Sequence, residues 1–268
     1  MSKILRIALI VIFSAVLIYS VTRIVLIQIE YQKADEIYQE SREAFHVAEN
    51  SASPQPTPSG ASSSEPEEYF PEAYADIEDL LSVNPDIVGW IWIPNTDINF
   101  PLLRADNNQK YLNLSYNLKQ TNSGSIFMDY RNSSDLSDGN TIIYGHNMKN
   151  GGMFGNLKKF ADIDYMKAHS YVYVFTADRI LKYRIFAGYK TESTSKSYTM
   201  DFSGDISYDD FISYIVNSVG NDLIEAPEKQ VPLITLSTCT SVRRTERFVV
   251  HAAFVAEKAV QQDESPTA

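Results

Sequence analysis

The chain has 268 residues, of which 21% are charged and 12% aromatic, a composition typical of a globular protein rich in strand formers. Its formal net charge of -11 argues against a nucleic-acid partner, because phosphates attract basic surfaces. The sequence has one cysteine and four histidines, and these have no zinc-site spacing, so we expect no metal site.

The N-terminal segment has the pattern of a membrane anchor. Ile7–Thr22 is uncharged and mostly apolar, and Arg23 precedes a second apolar run, Ile24–Ile27. A helix needs about 20 residues to cross a bilayer, and Arg23 can reach the interface and extend the span. Lys3 and Arg6 precede the run, so the positive-inside rule places the N-terminus in the cytoplasm and the rest outside. The alternative is a cleaved signal peptide, but no clear cleavage site follows the run, which favours the anchor.

A helix and a linker are predicted next. Residues 30–50 are rich in helix formers and are predicted to form a juxtamembrane helix. Ser51–Glu68 reads SASPQPTPSGASSSEPEE, a Pro/Ser-rich composition that cannot bury a core. We interpret it as a spacer that holds a domain away from the membrane.

The pattern from Tyr69 to Glu257 is that of a single mainly-β domain. Strands are predicted in IVGWIWIP, DINFPLL, GSIFMDY, NTIIYGH, SYVYVFT, RILKYRIFAGYK, VPLITLST and RFVVHAAFVA. Helices are predicted in IEDLLSVNPD, GGMFGNLKKFADI and SYDDFISYIVNSV. Short strands with few helices indicate a barrel or a sandwich. The predicted organisation is an anchor (1–29), a juxtamembrane helix and linker (30–68), the domain (69–257) and a disordered tail (258–268).

Cys239 is the only cysteine, and it lies near the end of the predicted strand ITLSTC. An exported chain with one cysteine cannot form an internal disulfide. The thiol is then a buried core residue, a dimer bridge or a reactive group. Free cysteines are often buried, and in that case the domain would be a non-enzymatic receptor or adhesin.

Three arginines follow the cysteine and favour a reactive thiol. A nearby cation lowers the pKa of a thiol, and a guanidinium can stabilise an oxyanion during acyl transfer. Arg247 opens the strand RFVVHAAF, so an antiparallel hairpin would bring it beside Cys239. Arg243 and Arg244 are expected at the hairpin tip.

His146 is the candidate proton carrier. It ends the predicted strand NTIIYGH, and imidazole is the usual acid/base partner of a thiol. The other histidines fit this role less well, because His46 lies in the stalk, His169 in a predicted loop and His251 in mid-strand.

These segments resemble the sortases of Gram-positive bacteria. TLSTC is similar to the TLxTC signature of that family, and YGHNMKNGGMFGNLKKF resembles the histidine segment of its class B members. RFVVHAAF resembles the arginine strand, and VGWIWIPNTDINFPLL, NNQKYLN and SGSIFMDYRN are similar to the first part of the barrel. The resemblance covers roughly Ile77–Val255. It implies a closed β-barrel of about eight strands with a few peripheral helices, preceded by a transmembrane helix.

The resemblance also implies a role for each candidate residue. Cys239 would be the nucleophile, His146 the general acid/base and Arg247 the oxyanion stabiliser. The implied substrate-groove residues are Tyr144, Ser237, Thr238, Asn108 and Leu112. The insertion Thr191–Gln230 would determine which peptide is preferred.

The implied activity is a transpeptidation at the cell surface, with the chain crossing the membrane once and its catalytic domain outside. The enzyme would cleave a C-terminal sorting signal of secreted proteins after Thr. It would transfer the acyl group to a peptidoglycan cross-bridge amine, on a lipid-linked precursor or in the wall, with no metal or organic cofactor. Two rival activities use the same residues. One is a membrane-anchored cysteine protease, with water as acceptor, and the other a pilin-polymerising sortase, with a lysine amine.

Overall fold

The structure, a computed structural model, describes residues 3–48, 69–220, 224–239 and 245–260. One helix of 40 residues, α1 (Lys3–Arg42), unites the predicted anchor with the predicted juxtamembrane helix. The helix is long and apolar enough to cross a membrane. Large apolar side chains of its first part are exposed, such as Phe13 at 69% and Ile18 at 67%. Such a surface is typical of a segment covered by lipid and not of a core helix.

The chain departs from the predicted helix after Arg42. Phe45–Val47 forms a short strand, β1, which pairs in antiparallel register with β2 (Ala73–Ala75). The ring of Phe45 stacks on Trp90 with centroids 5.3 Å apart, so a tertiary contact overrides the local helix propensity. The predicted linker, Ser51–Glu68, lies outside the described residues.

Eight further strands close into a barrel, which confirms the predicted fold class. Their order around the barrel is β10-β8-β7-β3-β4-β5-β6-β9, with parallel pairing between β4 and β5 and between β6 and β9. The strands are β3 (Ile87–Trp92), β4 (Asn99–Leu103), β5 (Ile126–Met128), β6 (Asn140–Tyr144), β7 (Tyr171–Phe175), β8 (Arg179–Glu192), β9 (Leu233–Cys239) and β10 (Glu246–Ala259).

The helices lie between the strands. They are α2 (Ile77–Val83), α3 (Ile163–Ala168), α4 (Tyr208–Val219) and the 3-10 helices Lys110–Leu112, Leu157–Ala161 and Lys196–Tyr198. The helix predicted over GGMFGNLKKFADI is confined to its second half, where the 3-10 helix begins at Leu157. The first half turns back instead, because Asn147 and Met153 form an isolated bridge.

Two apolar clusters hold the barrel and its insertion together. Successive residues of one strand belong to different clusters, as Ile185 and Phe186 of β8 do. Ile185 packs with the large cluster around Trp90, whereas Phe186 packs with Phe211 and Ile215 of α4. The insertion between β8 and β9 therefore has its own core against the barrel wall.

The domain bounds predicted at Tyr69 and Glu257 leave out residues that the structure packs on the barrel. Tyr38 and Phe45 are 4% and 8% exposed and belong to the main core cluster. At the other end, β10 continues to Ala259, and residues 261–268 of the predicted tail lie outside the described residues. The folded unit therefore includes the last turns of α1.

Candidate active site

The pairing of β9 with β10 places Arg247 beside Cys239. The two residues are direct partners in the antiparallel register, as the predicted hairpin requires. Only the backbone of Cys239 is described, and Arg243 and Arg244 lie outside the described residues. Arg247 is part-buried, and its Nη1 donates to the carbonyl oxygen of Glu246 at 3.1 Å.

The pairing of β6 with β9 brings His146 to the same end of the barrel. These neighbours are parallel, and Tyr144 is the partner of Ser237. The backbone N–H of Gly145 also donates to the Ser237 carbonyl at 3.1 Å. Because parallel strands advance together, the residues two positions further along, His146 and Cys239, lie at the same rim.

A hydrogen bond fixes the orientation of the His146 ring. Its Nε2 lies 2.7 Å from the carbonyl oxygen of Leu112. A carbonyl only accepts, so Nε2 carries the hydrogen and donates, and Nδ1 is the nitrogen left for proton exchange. Gly145 precedes the histidine because a Cβ there would lie 2.5 Å from Ile126 Cδ1 and 2.7 Å from Phe154 Cδ2.

A groove of about 310 Å³ gathers the predicted site residues. It is lined by all seven of those whose side chains are described, together with four that the sequence did not suggest. The lining residues are Asn108, Leu112, Phe127, Tyr144, Gly145, His146, Ser193, Tyr198, Ser237, Thr238 and Arg247. Phe127, Gly145, Ser193 and Tyr198 are the additions.

A buried carboxylate underlies the groove. Asp129 is fully buried and accepts hydrogen bonds from Asn108 Nδ2 at 2.9 Å and from the Tyr144 hydroxyl at 3.0 Å. Arg131 forms a two-point ion pair with it, both bonds at 2.8 Å. Burial by itself would raise the pKa of Asp129, but these hydrogen bonds outweigh it and hold the pKa below its usual range. Burial and the Asp129 charge together raise the pKa of Tyr144.

Asp129 holds two groove residues from different parts of the chain. The Asn108 amide is engaged at both ends, since its Oδ1 accepts from the backbone N–H of Tyr130 at 2.9 Å. One N–H of Asn108 Nδ2 remains for a ligand. Asp129 was not singled out in the sequence, although an Asp and an Arg directly after a buried strand, in FMDYR, are a signal that could have found it.

The connection after β8 supplies Ser193 and Tyr198. The Tyr198 hydroxyl lies 2.7 Å from Ser237 Oγ, and its ring stacks against Tyr144 at 6.5 Å. The backbone N–H of Ser193 donates to the carbonyl of Thr245 at 2.8 Å. These residues lie within the predicted insertion Thr191–Gln230, whose contacts no local sequence signal revealed.

Two other histidines lie in structural positions. His46 lies within β1 and not in a stalk as predicted, and its Nε2 is 3.0 Å from the Asp76 carboxylate. His169 ends α3, and its Nδ1 lies 3.2 Å from the Pro94 carbonyl. Neither lines the groove.

His251 is fully buried in β10, with Nδ1 2.9 Å from the Thr235 hydroxyl and Nε2 3.1 Å from the Tyr189 hydroxyl. Burial lowers its pKa to about 3, so its ring is neutral at physiological pH. It therefore links strands β8, β9 and β10 through neutral hydrogen bonds.

A larger depression elsewhere on the domain differs from this groove in its chemistry. It has a volume of about 500 Å³ and is lined by residues such as Glu225, Glu228 and Lys229, and it contains no histidine, cysteine, serine or threonine. Within the part of the chain that the structure describes, no three His, Cys, Asp or Glu side chains could together hold a metal ion.

A protein-family model described as the sortase domain matches residues 91–255. The chain belongs to the sortase family, and it is a cysteine transpeptidase. The resemblance to class B is confirmed by its relatives. Sortase B of Listeria monocytogenes is 35% identical over 187 residues, which are 69% of this chain and 76% of that protein. Sortase B of Staphylococcus aureus is 33% identical over 181 residues, 66% of this chain and 74% of that protein.

Solved structures agree with the sequence comparison. The crystal structure of sortase B from Bacillus anthracis has a TM-score of 0.64 at 29% identity and covers 85% of this chain and 98% of that one. The family thus has a cell-wall transpeptidase role, and the fold of this chain is that of sortase B.

Proposed function

We propose that this chain is a membrane-anchored sortase that joins secreted proteins to peptidoglycan. It cleaves a C-terminal sorting signal after Thr and transfers the new acyl group to a cross-bridge amine. One observation carries the proposal: the strand registers bring the backbones of Cys239, His146 and Arg247 to the same rim of the barrel, where His146 and Arg247 line the groove.

The proposed first step uses the only cysteine of the chain. The Cys239 thiolate attacks the carbonyl carbon of the sorting-signal Thr, and the carbonyl oxygen becomes an oxyanion beside Arg247. The C–N bond then breaks, and the departing amine takes a proton from His146. The product is a thioester between the peptide and Cys239, which divides one difficult displacement into two easier ones.

The second step reverses the proton transfer. The acceptor amine attacks the thioester carbon and gives a proton to His146, and the C–S bond breaks to release the thiolate. The new bond is an amide, so no oxidant, reductant or metal is consumed. The free Nδ1 of His146 is suited to both transfers, because Nε2 is already occupied by the Leu112 carbonyl.

The comparisons support both substrates. One similar structure is described as a Staphylococcus aureus sortase B–substrate complex, and another as sortase B complexed with triglycine. By analogy we propose a peptide donor in the groove and a glycine-type amine as acceptor. Asn108, Leu112, Tyr144, Ser237 and Thr238 are the proposed contacts with the donor.

Helix α1 supports the proposed location. Its apolar first part has the length of a membrane span, and Lys3 and Arg6 before that run favour a cytoplasmic N-terminus by the positive-inside rule. The helix continues without a break to Arg42 and buries Ala34, Tyr38 and Ser41 in the domain. This continuity favours an uncleaved anchor with the catalytic domain outside the cell.

The test is product analysis with the full chain in detergent micelles. The enzyme is incubated with a panel of sorting peptides, with triglycine, with a lysine-containing peptide or with no added amine, and the products are weighed by mass spectrometry. We expect a peptide cut after Thr and joined to triglycine. Hydrolysis that is unaffected by amines would show a protease, and selective joining to the lysine side chain would show a pilin-type enzyme.

A further inference from the structure

The last turns of α1 pack on the barrel next to the groove. Ala34, Tyr38 and Ser41 recur at helical spacing and are the residues of α1 that are buried. The Tyr38 ring meets Phe100 edge-on with centroids 5.3 Å apart and lies 6.1 Å from the ring of Tyr116. Tyr38 is therefore a core residue as well as a residue of the proposed anchor helix.

The hydroxyl of Tyr38 is hydrogen-bonded to the turn that contains Gly124 and Ser125. It donates to the carbonyl oxygen of Gly124 and lies 3.3 Å from Ser125 Oγ. Ser125 Oγ donates to the Leu114 carbonyl at 2.7 Å, and the backbone N–H of Ser125 donates to the Tyr111 carbonyl at 2.9 Å. Tyr38 thus connects helix α1 to the segment 111–125.

The same segment, 111–125, also contacts His146. Gly124 has a φ of +55°, and a Cβ on it would lie 2.5 Å from the Tyr111 carbonyl oxygen and 3.0 Å from His146 Cδ2. The segment also provides the Leu112 carbonyl that accepts from His146 Nε2 at 2.7 Å. The backbone at Gly124 therefore packs against the imidazole, and the backbone at Leu112 sets its tilt.

We propose that Tyr38 is a positioning residue for His146, so that the helix leading out of the membrane segment also holds the acid/base of the active site. This rests on the proposed role of His146. An apolar residue at this position could fill the same space, but only a donor satisfies the Gly124 carbonyl, which belongs to a buried residue. The hydroxyl thus fixes the segment where packing alone would let it shift.

The contact has a consequence for the enzyme without α1. A domain that begins at Tyr69 lacks Tyr38, and segment 111–125 then loses its outer support. The His146 ring would then sample more than one orientation. A misplaced proton carrier lowers kcat more than it changes KM.

The experiment compares Tyr38→Phe with Tyr31→Phe in the full chain in detergent micelles. Tyr31 lies on the same helix but is not among its buried residues, so it is the matched control. Ring-¹³C-histidine labelling gives four ring signals, one for each histidine, and His146→Gln assigns the signal of His146. Steady-state kinetics with a sorting peptide are measured in parallel.

We expect Tyr38→Phe to shift or broaden the His146 signal while the His169 and His251 signals stay in place. We expect kcat to fall about tenfold, with KM changed less than about twofold. Tyr31→Phe should change neither. Replacing Tyr38 with p-aminophenylalanine, which restores a donor at the same position, should restore the signal and kcat.

Two outcomes would overturn the proposal. In the first, the His146 signal is unmoved in folded Tyr38→Phe, whatever happens to its melting temperature. In the second, the Tyr38→Phe chain does not fold at any temperature tested, which would make the bond a folding contact. The NMR comparison needs no substrate, so it stands even if the wild-type chain joins no peptide to any amine.

Discussion

Two of the sets of residues that line the groove are held in different ways. The strand-borne set is Arg247, Tyr144, Ser237 and Thr238, together with His146 two residues beyond β6, and the backbone positions of these residues follow from strand register. The connection-borne set, Ser193 and Tyr198, is held by single bonds such as that from Tyr198 to Ser237 at 2.7 Å. A shift of one residue in the register would turn every side chain of the strand to the opposite face of the sheet.

The difference indicates a division of labour. Chemistry requires groups placed within fractions of an ångström, and a barrel register supplies that precision. Selection among peptides requires a surface that can vary, and a connection between strands tolerates change. We therefore expect substitutions in the strand-borne set to lower kcat, and substitutions in the connection-borne set to alter KM and peptide preference.

The largest effect is expected at the end of β9. Cys239→Ala should abolish the thioester, because no other thiol is available in the chain. Mass spectrometry of the enzyme after incubation with a sorting peptide measures the adduct. His146→Gln keeps the thiol and is the control, which should still be alkylated by a small reagent. A Cys239→Ala enzyme that joins peptide to amine would refute the proposed nucleophile.

The next largest effect is expected at Arg247. Arg247→Lys should lower kcat by about 10²- to 10³-fold, because a lysine cannot reproduce the fixed geometry of the guanidinium beside the oxyanion. The matched controls are Arg243→Lys and Arg244→Lys, which should each cost less than about threefold. Equal losses at all three positions, in single-turnover kinetics, would contradict the register-based choice of Arg247.

A smaller effect is expected beneath the groove. Asp129→Asn should lower kcat/KM about tenfold and destabilise the fold by about 1–3 kcal/mol, because Arg131 and Tyr144 lose a charged acceptor. Peptide kinetics and chemical unfolding measure the two effects. Asp106→Asn, which removes an exposed carboxyl, is the control.

The stability effect at Asp129 should depend on pH. Its folded-state pKa is lowered from the ordinary value of 3.8, so the ionised form stabilises the fold above that pH. This contribution is lost as pH falls below 3.8 through the folded-state pKa. The difference in melting temperature between wild type and Asp129→Asn should therefore be constant near neutrality and shrink below pH 3.8. A constant difference down to about pH 2 would show that the ion pair is not its source.

The smallest effect is expected in the connection-borne set. Tyr198→Phe removes the bond to Ser237 but keeps the ring against Tyr144, so we expect about a threefold rise in KM with kcat nearly unchanged. The ranking of sorting peptides should also change, which competition assays with mixed peptides measure. A fall of about tenfold in the kcat of Tyr198→Phe would contradict the proposed division between the two sets.

The sequence predicted where the barrel strands lie but not which strands pair with one another. Segments such as NTIIYGH and VPLITLST show where strands lie, but no periodicity reveals that β6 and β9 are parallel neighbours. The proximity of His146 to Cys239 came from the family resemblance for that reason. The pattern also left a sandwich open, because closure of a barrel depends on pairings between distant strands.

Contacts that depend on tertiary structure were missed. Tyr198 and Tyr38 each act through a partner far along the chain, so their neighbours in sequence carry no signal. Asp129 differs, because the Asp and Arg of FMDYR are a local signal that was overlooked. The three residues of strand β1 were predicted as part of a helix. A strand of three residues is too short to show alternation, and helix formers precede it. Local propensity was overridden there by the stacking of Phe45 on Trp90.

The β1–β2 pair changes what the Pro/Ser-rich segment can do. Val47 and Ala73 are partners in the sheet, so the segment between them starts and ends at nearly the same place. In the proposed anchoring, the distance between barrel and bilayer is set by α1 and not by the length of this segment. Doubling the length of a closed loop costs only about 0.6 kcal/mol. The segment is thus a suitable insertion point for a fluorescent protein, which would report where the enzyme resides without displacing its groove.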